Sequence, residues 1–171
     1  RSTASGASRT SPGRGSRMLE VEVLDGLRGA GLTIAIAESC TGGRICDRLT
    51  DVPGSSERFM GGVVAYSNAS KVGLLGVSPF TLKASGAVSE ECAREMAAGV
   101  AKAFGADMGV AVTGIAGPGG GTPEKPVGLV FIAIARKGEG TAFRMVFDGD
   151  RERVKAQATE EALRLTLSFI P

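Results

Sequence analysis

Three short segments of this 171-residue chain hold residue types and spacings that could support chemistry. They are AESCTGG at 37–43, AYSNASK at 65–71 and TGIAGPGGG at 113–121. The chain contains no histidine, which excludes Ser-His-Asp and Cys-His catalysis and imidazole-bound metal sites. Any proton transfer near neutral pH must therefore use a lysine, a tyrosine or a carboxylate with a shifted pKa.

The first segment is predicted to place Ser39 at the tip of a buried strand, directly before a helix. A serine there could act as a nucleophile, because amides at a helix start, here those of Thr41, Gly42 and Gly43, can stabilise an oxyanion. The structural alternative is that Ser39 or Thr41 caps the helix, which local sequence alone favours. Cys40 is another candidate nucleophile, although a lone cysteine is more often a small buried hydrophobe.

The second segment contains the only tyrosine of the chain, Tyr66, and places Lys71 five residues later. A turn after the strand would bring Lys71 back toward the Tyr66 hydroxyl. Because a desolvated lysine loses its proton readily, a neutral Lys71 could accept a serine proton directly or through Tyr66. This would be Ser-Lys-Tyr amidase chemistry. Taken alone, the pattern is more typical of a tyrosine at a sheet edge and a surface lysine.

The third segment has five glycines among nine residues, which allows close approach of backbone N–H groups to a phosphate or ribose. A mobile turn between two strands would look the same. The segment lacks the GxxxxGK[ST] pattern, so ATP hydrolysis is not predicted. Downstream, Arg151 and Arg153 open the last predicted helix, where they could bind an anion or form a solvated basic face.

Charge and cysteine usage narrow the class of ligand. Four of the 20 basic residues (Arg1, Arg9, Arg14 and Arg17) lie in an N-terminal stretch without acids, leaving 16 basic against 18 acidic residues in the body. No basic surface for nucleic acid is predicted, so we expect a small-molecule ligand. Three cysteines without CxxC spacing favour neither disulfides nor zinc, and indicate a reducing cytoplasm. No apolar run approaches membrane-spanning length.

The remaining patterns predict the elements that must position these segments. Residues 1–17 are almost free of apolar side chains and are predicted to be a disordered tail before a single domain at 18–171. The alternation of helices and apolar strands in that domain predicts an α/β fold, a three-layer α/β/α sandwich with a mixed, mostly parallel sheet of about five strands. Helices are predicted at 18–31, 41–51, 70–76, 89–105 and 150–170, and strands at 32–39, 59–67, 107–114, 127–137 and 141–149, the last two joined by a turn at 138–140.

Four motifs occur together in one order: AESCTGG, GGVVAYSNASK, TGIAGPGGGTPEKPVG and FDGDRERVK. From about Met18 to Ile170 the chain resembles the CinA C-terminal domain family, including its stand-alone, PncC-like nicotinamide-nucleotide amidases. The resemblance implies hydrolysis of nicotinamide mononucleotide to nicotinic acid mononucleotide and ammonia, in pyridine nucleotide salvage. It also implies a homodimer with no metal or organic cofactor. The charge and the short apolar runs described above predict no nucleic-acid or membrane partner.

The resemblance also assigns roles by position. Ser39 becomes the nucleophile, and Tyr66 and Lys71 become its activating partners. It places Thr113 and Gly114 near the ligand and Arg151 near the phosphate. Full-length CinA proteins carry a further N-terminal domain associated with ADP-ribose pyrophosphatase activity, which 17 residues cannot hold, so we expect that activity to be absent.

Two other hypotheses remain open at this stage. The first is a non-catalytic nucleotide- or partner-binding module of the same fold, linked to competence or the DNA damage response. The intact set of Ser39, Tyr66 and Lys71 argues against it, because a retired site has no physical need for all three. The second is an amidase that depends on Cys40.

Overall fold

The computed structural model describes residues 18–171, and the prediction of a disordered tail at 1–17 lies outside those residues. The described part folds as a five-stranded sheet with helices on both faces, which confirms the predicted three-layer α/β/α sandwich. In chain order the elements are α1 Leu19–Ala30, β1 Ile34–Glu38, α2 Arg44–Thr50, a short 3-10 turn Ser55–Glu57, β2 Phe59–Val64, α3 Asn68–Leu75, α4 Pro79–Ala84, α5 Glu90–Phe104, β3 Met108–Gly114, β4 Leu129–Arg136, β5 Glu139–Val146 and α6 Arg151–Ser168.

The sheet has the strand order β2-β1-β3-β4-β5. Strand β1 pairs in parallel with β2 on one side and with β3 on the other. Strand β4 runs antiparallel to both β3 and β5, so it is the antiparallel member that the terminal hairpin was predicted to supply. The three central strands are almost fully buried, whereas β2 and β5 form the edges.

The two faces of the sheet carry side chains of different size. One face presents isoleucine, valine and methionine from β1, β3 and β4 to helices α1, α2 and α6. The other presents mainly alanine, and Gly109 of β3, to α5 and α3. A side chain at Gly109 would lie 1.9 Å from the Ala97 carbonyl oxygen, so these small residues let α5 pack closely on the sheet.

Helix α5 also approaches α3 at a glycine, which gives a testable prediction. A Cβ on Gly99 would lie 1.8 Å from the carbonyl oxygen of Leu75, a backbone atom that cannot turn away. We expect Gly99→Ala to lower the free energy of unfolding by about 1–3 kcal/mol, as measured by urea denaturation.

The matched control is Gly29→Ala near the end of α1, where an added Cβ meets no atom within 4 Å. This change should raise stability by up to about 1 kcal/mol, because alanine loses less backbone freedom than glycine in a helix. Equal effects of the two substitutions would contradict the close packing of α5 on α3.

The structure corrects some boundaries predicted from the sequence. The hairpin turn is not at 138–140. Arg136 pairs with Glu139, so the turn consists of Lys137 and Gly138, with φ of 54° and 80°. A two-residue turn with both φ positive matches the right-handed twist of the strands it joins. Strand β2 ends at Val64 rather than near Ser67, and helix α4 was not predicted.

Helices α5 and α6 each show a feature that agrees with the local sequence. Ser89 caps α5, its hydroxyl accepting a hydrogen bond from the Cys92 amide. In α6, Val154, Ala158 and Ala162 are fully buried on one face. None of the helices within residues 18–171 combines the length and apolar character that crossing a bilayer requires.

Candidate active site

The three chemistry-bearing segments meet where the carboxyl ends of strands β1, β2 and β3 lie side by side. Glu38 at the end of β1 pairs with Val64 at the end of β2 and with Val112 of β3. Because these strands are parallel, the residues that follow them emerge on the same side, where ligands of open α/β sheets bind. Ser39 directly follows β1, and Tyr66 lies two residues beyond β2.

Lys71 is a buried lysine at these strand ends, with 1% of its surface exposed. It lies in the first turn of α3, whose start is capped by the Ser67 hydroxyl. Its Nζ donates to Ser39 Oγ at 3.2 Å, to the Ala65 carbonyl oxygen at 2.8 Å and to the Tyr66 carbonyl oxygen at 3.4 Å. The sequence-predicted pair of Ser39 and Lys71 is therefore brought into direct contact.

Burial lowers the pKa of Lys71 below its ordinary value, although the nearby Cys92, Cys40 and Tyr66 side chains act in the opposite direction. A neutral amine has two N–H groups and one lone pair. In that state the two carbonyl oxygens can accept its N–H groups, and the Ser39 hydroxyl, which accepts from Nζ in this structure, can instead donate to the lone pair. Lys71 can thus receive the proton of Ser39.

The turn after β1 holds the amides that were predicted to stabilise an oxyanion. Gly42 donates its amide to the Ser39 carbonyl oxygen at 3.1 Å, and Gly43 donates to the Glu38 carboxylate at 3.0 Å. Both amides are therefore engaged within the protein. Among residues 18–171 the Thr41 amide has no acceptor, and the buried Thr41 hydroxyl has no partner.

Cys40 contributes to the site in a way the sequence analysis missed. It lines the cleft beside Ser39, its amide donates to no backbone carbonyl within residues 18–171, and a hydrogen bond from its own backbone reaches its thiol. Its side chain is 5% exposed, and burial raises the pKa of the thiol to about 11. The thiol stays protonated near neutral pH, which weakens the hypothesis of a Cys40 nucleophile.

Tyr66 and Arg151 stand together on the solvent side of the site. The Tyr66 hydroxyl, predicted to assist Lys71, accepts a hydrogen bond from Arg151 Nη2 at 3.1 Å. Arg151 Nη1 donates to the Gly117 carbonyl oxygen at 2.8 Å. The contact between lysine and serine is therefore direct, and Arg151 connects the tyrosine to the glycine-rich loop. Arg153 does not line the cleft.

Thr113 and Gly114 lie at the end of β3. The Thr113 hydroxyl donates to the Ala87 carbonyl oxygen at 2.8 Å and so holds the segment before α5 against the sheet. Gly114 is in tight backbone contact, since an added Cβ would lie 2.7 Å from the Leu129 carbonyl oxygen. Both residues line the cleft, and the threonine hydroxyl is already engaged.

These residues enclose an open cleft of about 260 Å³. Residues 18–171 contain no group of three or more cysteine, aspartate or glutamate side chains placed to hold a metal ion. The lining consists of Ser39, Cys40, Tyr66, Asn68, Lys71, Ala87, Val88, residues 113–117, Gly119, Gly120 and Arg151.

The sequence model of the CinA C-terminal domain family matches residues 16–170. This chain belongs to that family. A putative competence-damage inducible protein of Moorella thermoacetica is 55% identical over 134 residues, covering 78% of this chain and 32% of that protein. A CinA-like protein of Chlorobaculum tepidum is 56% identical over 151 residues, covering 85% and 36%. The chain spans about a third of the length of these relatives.

Solved structures of the CinA superfamily share the fold. The competence-damaged protein (CinA) superfamily protein from Klebsiella pneumoniae 700603 matches with a TM-score of 0.86 and 36% identity, covering 89% of this chain and 95% of that chain. The competence/damage inducible protein CihA from Agrobacterium tumefaciens matches with a TM-score of 0.84 and 40% identity, covering 88% and 92%. These likenesses confirm the family and the fold that the motifs of this CinA domain predicted.

Proposed function

We propose that this CinA domain hydrolyses the carboxamide of nicotinamide mononucleotide to nicotinic acid mononucleotide and ammonia. The observation that carries the proposal is the buried contact between Lys71 Nζ and Ser39 Oγ at 3.2 Å, in a cleft at the strand ends. A serine hydroxyl beside an amine that has lost its proton is an activated nucleophile, in a protein without histidine. The motif resemblance to nicotinamide-nucleotide amidases supplies the substrate.

The first half of the reaction forms an ester. Lys71 takes the proton of Ser39 as the serine oxygen attacks the carboxamide carbon. The oxyanion of the tetrahedral intermediate forms beside the turn after Ser39 and accepts a hydrogen bond from the amide of Cys40, a residue that lines the cleft. The carbon–nitrogen bond then breaks, Lys71 returns its proton to the departing nitrogen, and ammonia leaves a nicotinoyl ester on Ser39.

The second half releases the acid. Lys71, neutral again, accepts a proton from water as the water oxygen attacks the ester carbon. The serine oxygen leaves and regains a proton from Lys71, which restores the starting state. The pyridinium charge of the substrate makes its carboxamide more electrophilic, so the nucleotide is more reactive than free nicotinamide.

The cleft also offers contacts for the rest of the nucleotide. The Arg151 guanidinium lies at the solvent side, beside the Tyr66 hydroxyl and the Gly117 carbonyl, and can hold the phosphate. The proposal includes a homodimer in a reducing cytoplasm. Three cysteines without disulfides in the described residues, Cys40, Cys46 and Cys92, fit that setting.

The direct test is ammonia release from purified protein given nicotinamide mononucleotide, its riboside or free nicotinamide. We expect turnover of the mononucleotide above the other two, because only it carries the phosphate. Arg151→Ala should lower kcat/KM for the mononucleotide about 10–100-fold, the value of a hydrogen-bonded charge pair, and leave the riboside almost unchanged. Arg153→Ala, in the same helical turn but outside the cleft, is the matched control.

The outcomes separate the candidate functions. Binding of the mononucleotide without ammonia release would favour the non-catalytic module. Turnover that responds equally to the loss of Arg151 and Arg153 would remove the phosphate contact from the proposal while leaving the amidase.

A further inference from the structure

Glu38 is a carboxylic residue buried completely beneath the proposed site. It ends β1, immediately before Ser39, and none of its surface is exposed. A buried carboxylate is costly unless its oxygens accept hydrogen bonds. Here Oε2 accepts the Gly43 amide at 3.0 Å and Oε1 accepts the Cys46 amide at 2.9 Å.

These two hydrogen bonds fix the turn that carries the nucleophile. Gly43 and Cys46 lie at the start of α2, so the carboxylate joins the end of β1 to the beginning of that helix. The chain between them, residues 39–42, is spanned by the bridge and is closed by the bond from the Gly42 amide to the Ser39 carbonyl. The turn thus has a defined shape.

The bridge also places the nucleophile relative to the cleft. Ser39 and Cys40, the first two residues of the turn, line the cleft. Gly42 and Gly43 are held by the hydrogen bonds just described, and Thr41 is fully buried and does not line the cleft. The carboxylate therefore anchors the buried side of the turn whose open side carries Ser39.

Glu38 does not serve the site by tuning the lysine. The influences on the pKa of Lys71 are burial first, followed by Cys92, Cys40 and Tyr66. The carboxylate oxygens are instead directed at the α2 amides. A change at Glu38 should therefore alter how well the transition state is held, without altering the proton affinity of the base.

We infer that Glu38 is a positioning residue, whose carboxylate holds the turn at 39–43 so that the Ser39 hydroxyl faces Lys71 and the cleft. This inference rests on the proposed amidase function. It assigns a role to the acidic residue that ends the mostly apolar stretch LTIAIAE, directly before Ser39.

The test compares Glu38→Gln with Asp107→Asn. A glutamine can accept one amide through its carbonyl, but its NH2 group opposes the other N–H. We expect kcat for the mononucleotide to fall about 10–100-fold with KM within about twofold, because a misplaced nucleophile slows the chemical step more than it weakens substrate binding. The apparent pKa of the pH–rate profile should stay in place.

Asp107 is the matched control, since its carboxylate accepts the Thr33 amide at 2.8 Å at the opposite end of β1. Asp107→Asn should lower thermal stability but not kcat. Glu38→Asp, which is too short to reach both amides, is a second variant and should lose kcat as Glu38→Gln does. Circular dichroism and thermal melting verify that each variant is folded.

Each possible result either supports or overturns the positioning role of Glu38. A folded Glu38 variant with the wild-type kcat, or one whose loss is matched by Asp107→Asn, overturns the inference and leaves the amidase proposal standing. A shift of the pH profile would make Glu38 a tuner of Lys71 and also overturn it. Failure of both Glu38 variants to fold would make the residue a requirement of the fold alone. Inactive wild-type protein would instead remove the proposed function itself.

Discussion

Ser39→Ala is expected to reduce ammonia release from nicotinamide mononucleotide by at least about 10³-fold, because no other activated nucleophile lies in the cleft. The hydroxyl is 3.2 Å from the only buried lysine among the described residues, and its removal leaves Arg151, the proposed phosphate ligand, untouched. Binding of the mononucleotide, measured by calorimetry, should therefore stay within a few-fold of wild type.

The matched control is Cys40→Ala, one residue along the same turn. Burial keeps the Cys40 thiol protonated, with its pKa raised to about 11, and the variant retains the backbone amide that the mechanism uses. Its activity should therefore remain close to that of wild type. Full activity of Ser39→Ala would exclude Ser39 as the nucleophile. Loss of activity in the folded Cys40→Ala variant would restore the hypothesis of a thiol nucleophile.

Lys71→Arg and Lys71→Met should each reduce turnover about as much as Ser39→Ala. The serine and the lysine act as one unit, so removing either one disables both, and the effects of the substitutions are not additive. Arginine keeps a positive charge but does not lose its proton at any pH that the protein tolerates. The pair therefore separates a base from a simple cation. Substantial activity of Lys71→Arg would show that Lys71 acts by its charge, and would contradict the mechanism.

The same residue sets the expected pH dependence. Burial lowers the pKa of Lys71 in the folded chain below 10.5, so the neutral amine persists to lower pH than in an exposed lysine. Activity should fall as pH falls through that lowered pKa. A pH–rate profile of wild-type protein measures this midpoint, and a midpoint at the ordinary lysine value would contradict the desolvated base.

The free energy of unfolding should also depend on pH, because the pKa of Lys71 differs between the folded and the unfolded chain. Between the lowered pKa of the folded chain and the ordinary pKa of the unfolded chain, only the unfolded chain binds the proton, so the free energy of unfolding decreases as pH falls. Below the lowered pKa this contribution is constant. Lys71→Met removes it, and the difference in melting temperature between the two proteins should grow over that interval and then level off.

Much of the fold follows from local sequence. The buried strands β1, β3 and β4 are short apolar runs, and α5 has a serine cap and a closing glycine. These signals lie within a few residues of the elements they specify. The hairpin turn was misplaced by one residue and α4 was missed, because strand register and short helices depend on neighbours that a local pattern does not contain.

The candidate site divides in the same way. Residue types and spacing singled out Ser39, Lys71 and the glycine loop, and the absence of histidine required a different base. Glu38 could have been recognised from the sequence, because a carboxylate in an apolar strand is buried and must find hydrogen-bond donors within the fold. No pattern in the sequence predicted the hydrogen bond between the Tyr66 hydroxyl and Arg151, which is 85 residues away.

The sequence by itself determined the family, the α/β architecture and the residue types available for chemistry. Only the tertiary structure decided that the Lys71 amine is buried against Ser39, that the Gly42 and Gly43 amides are already engaged, and that Cys40 keeps its proton. The physical reason is that the reactivity of an ionisable or hydrogen-bonding group depends on its desolvation and its partners. Those are set where strand ends distant in sequence meet.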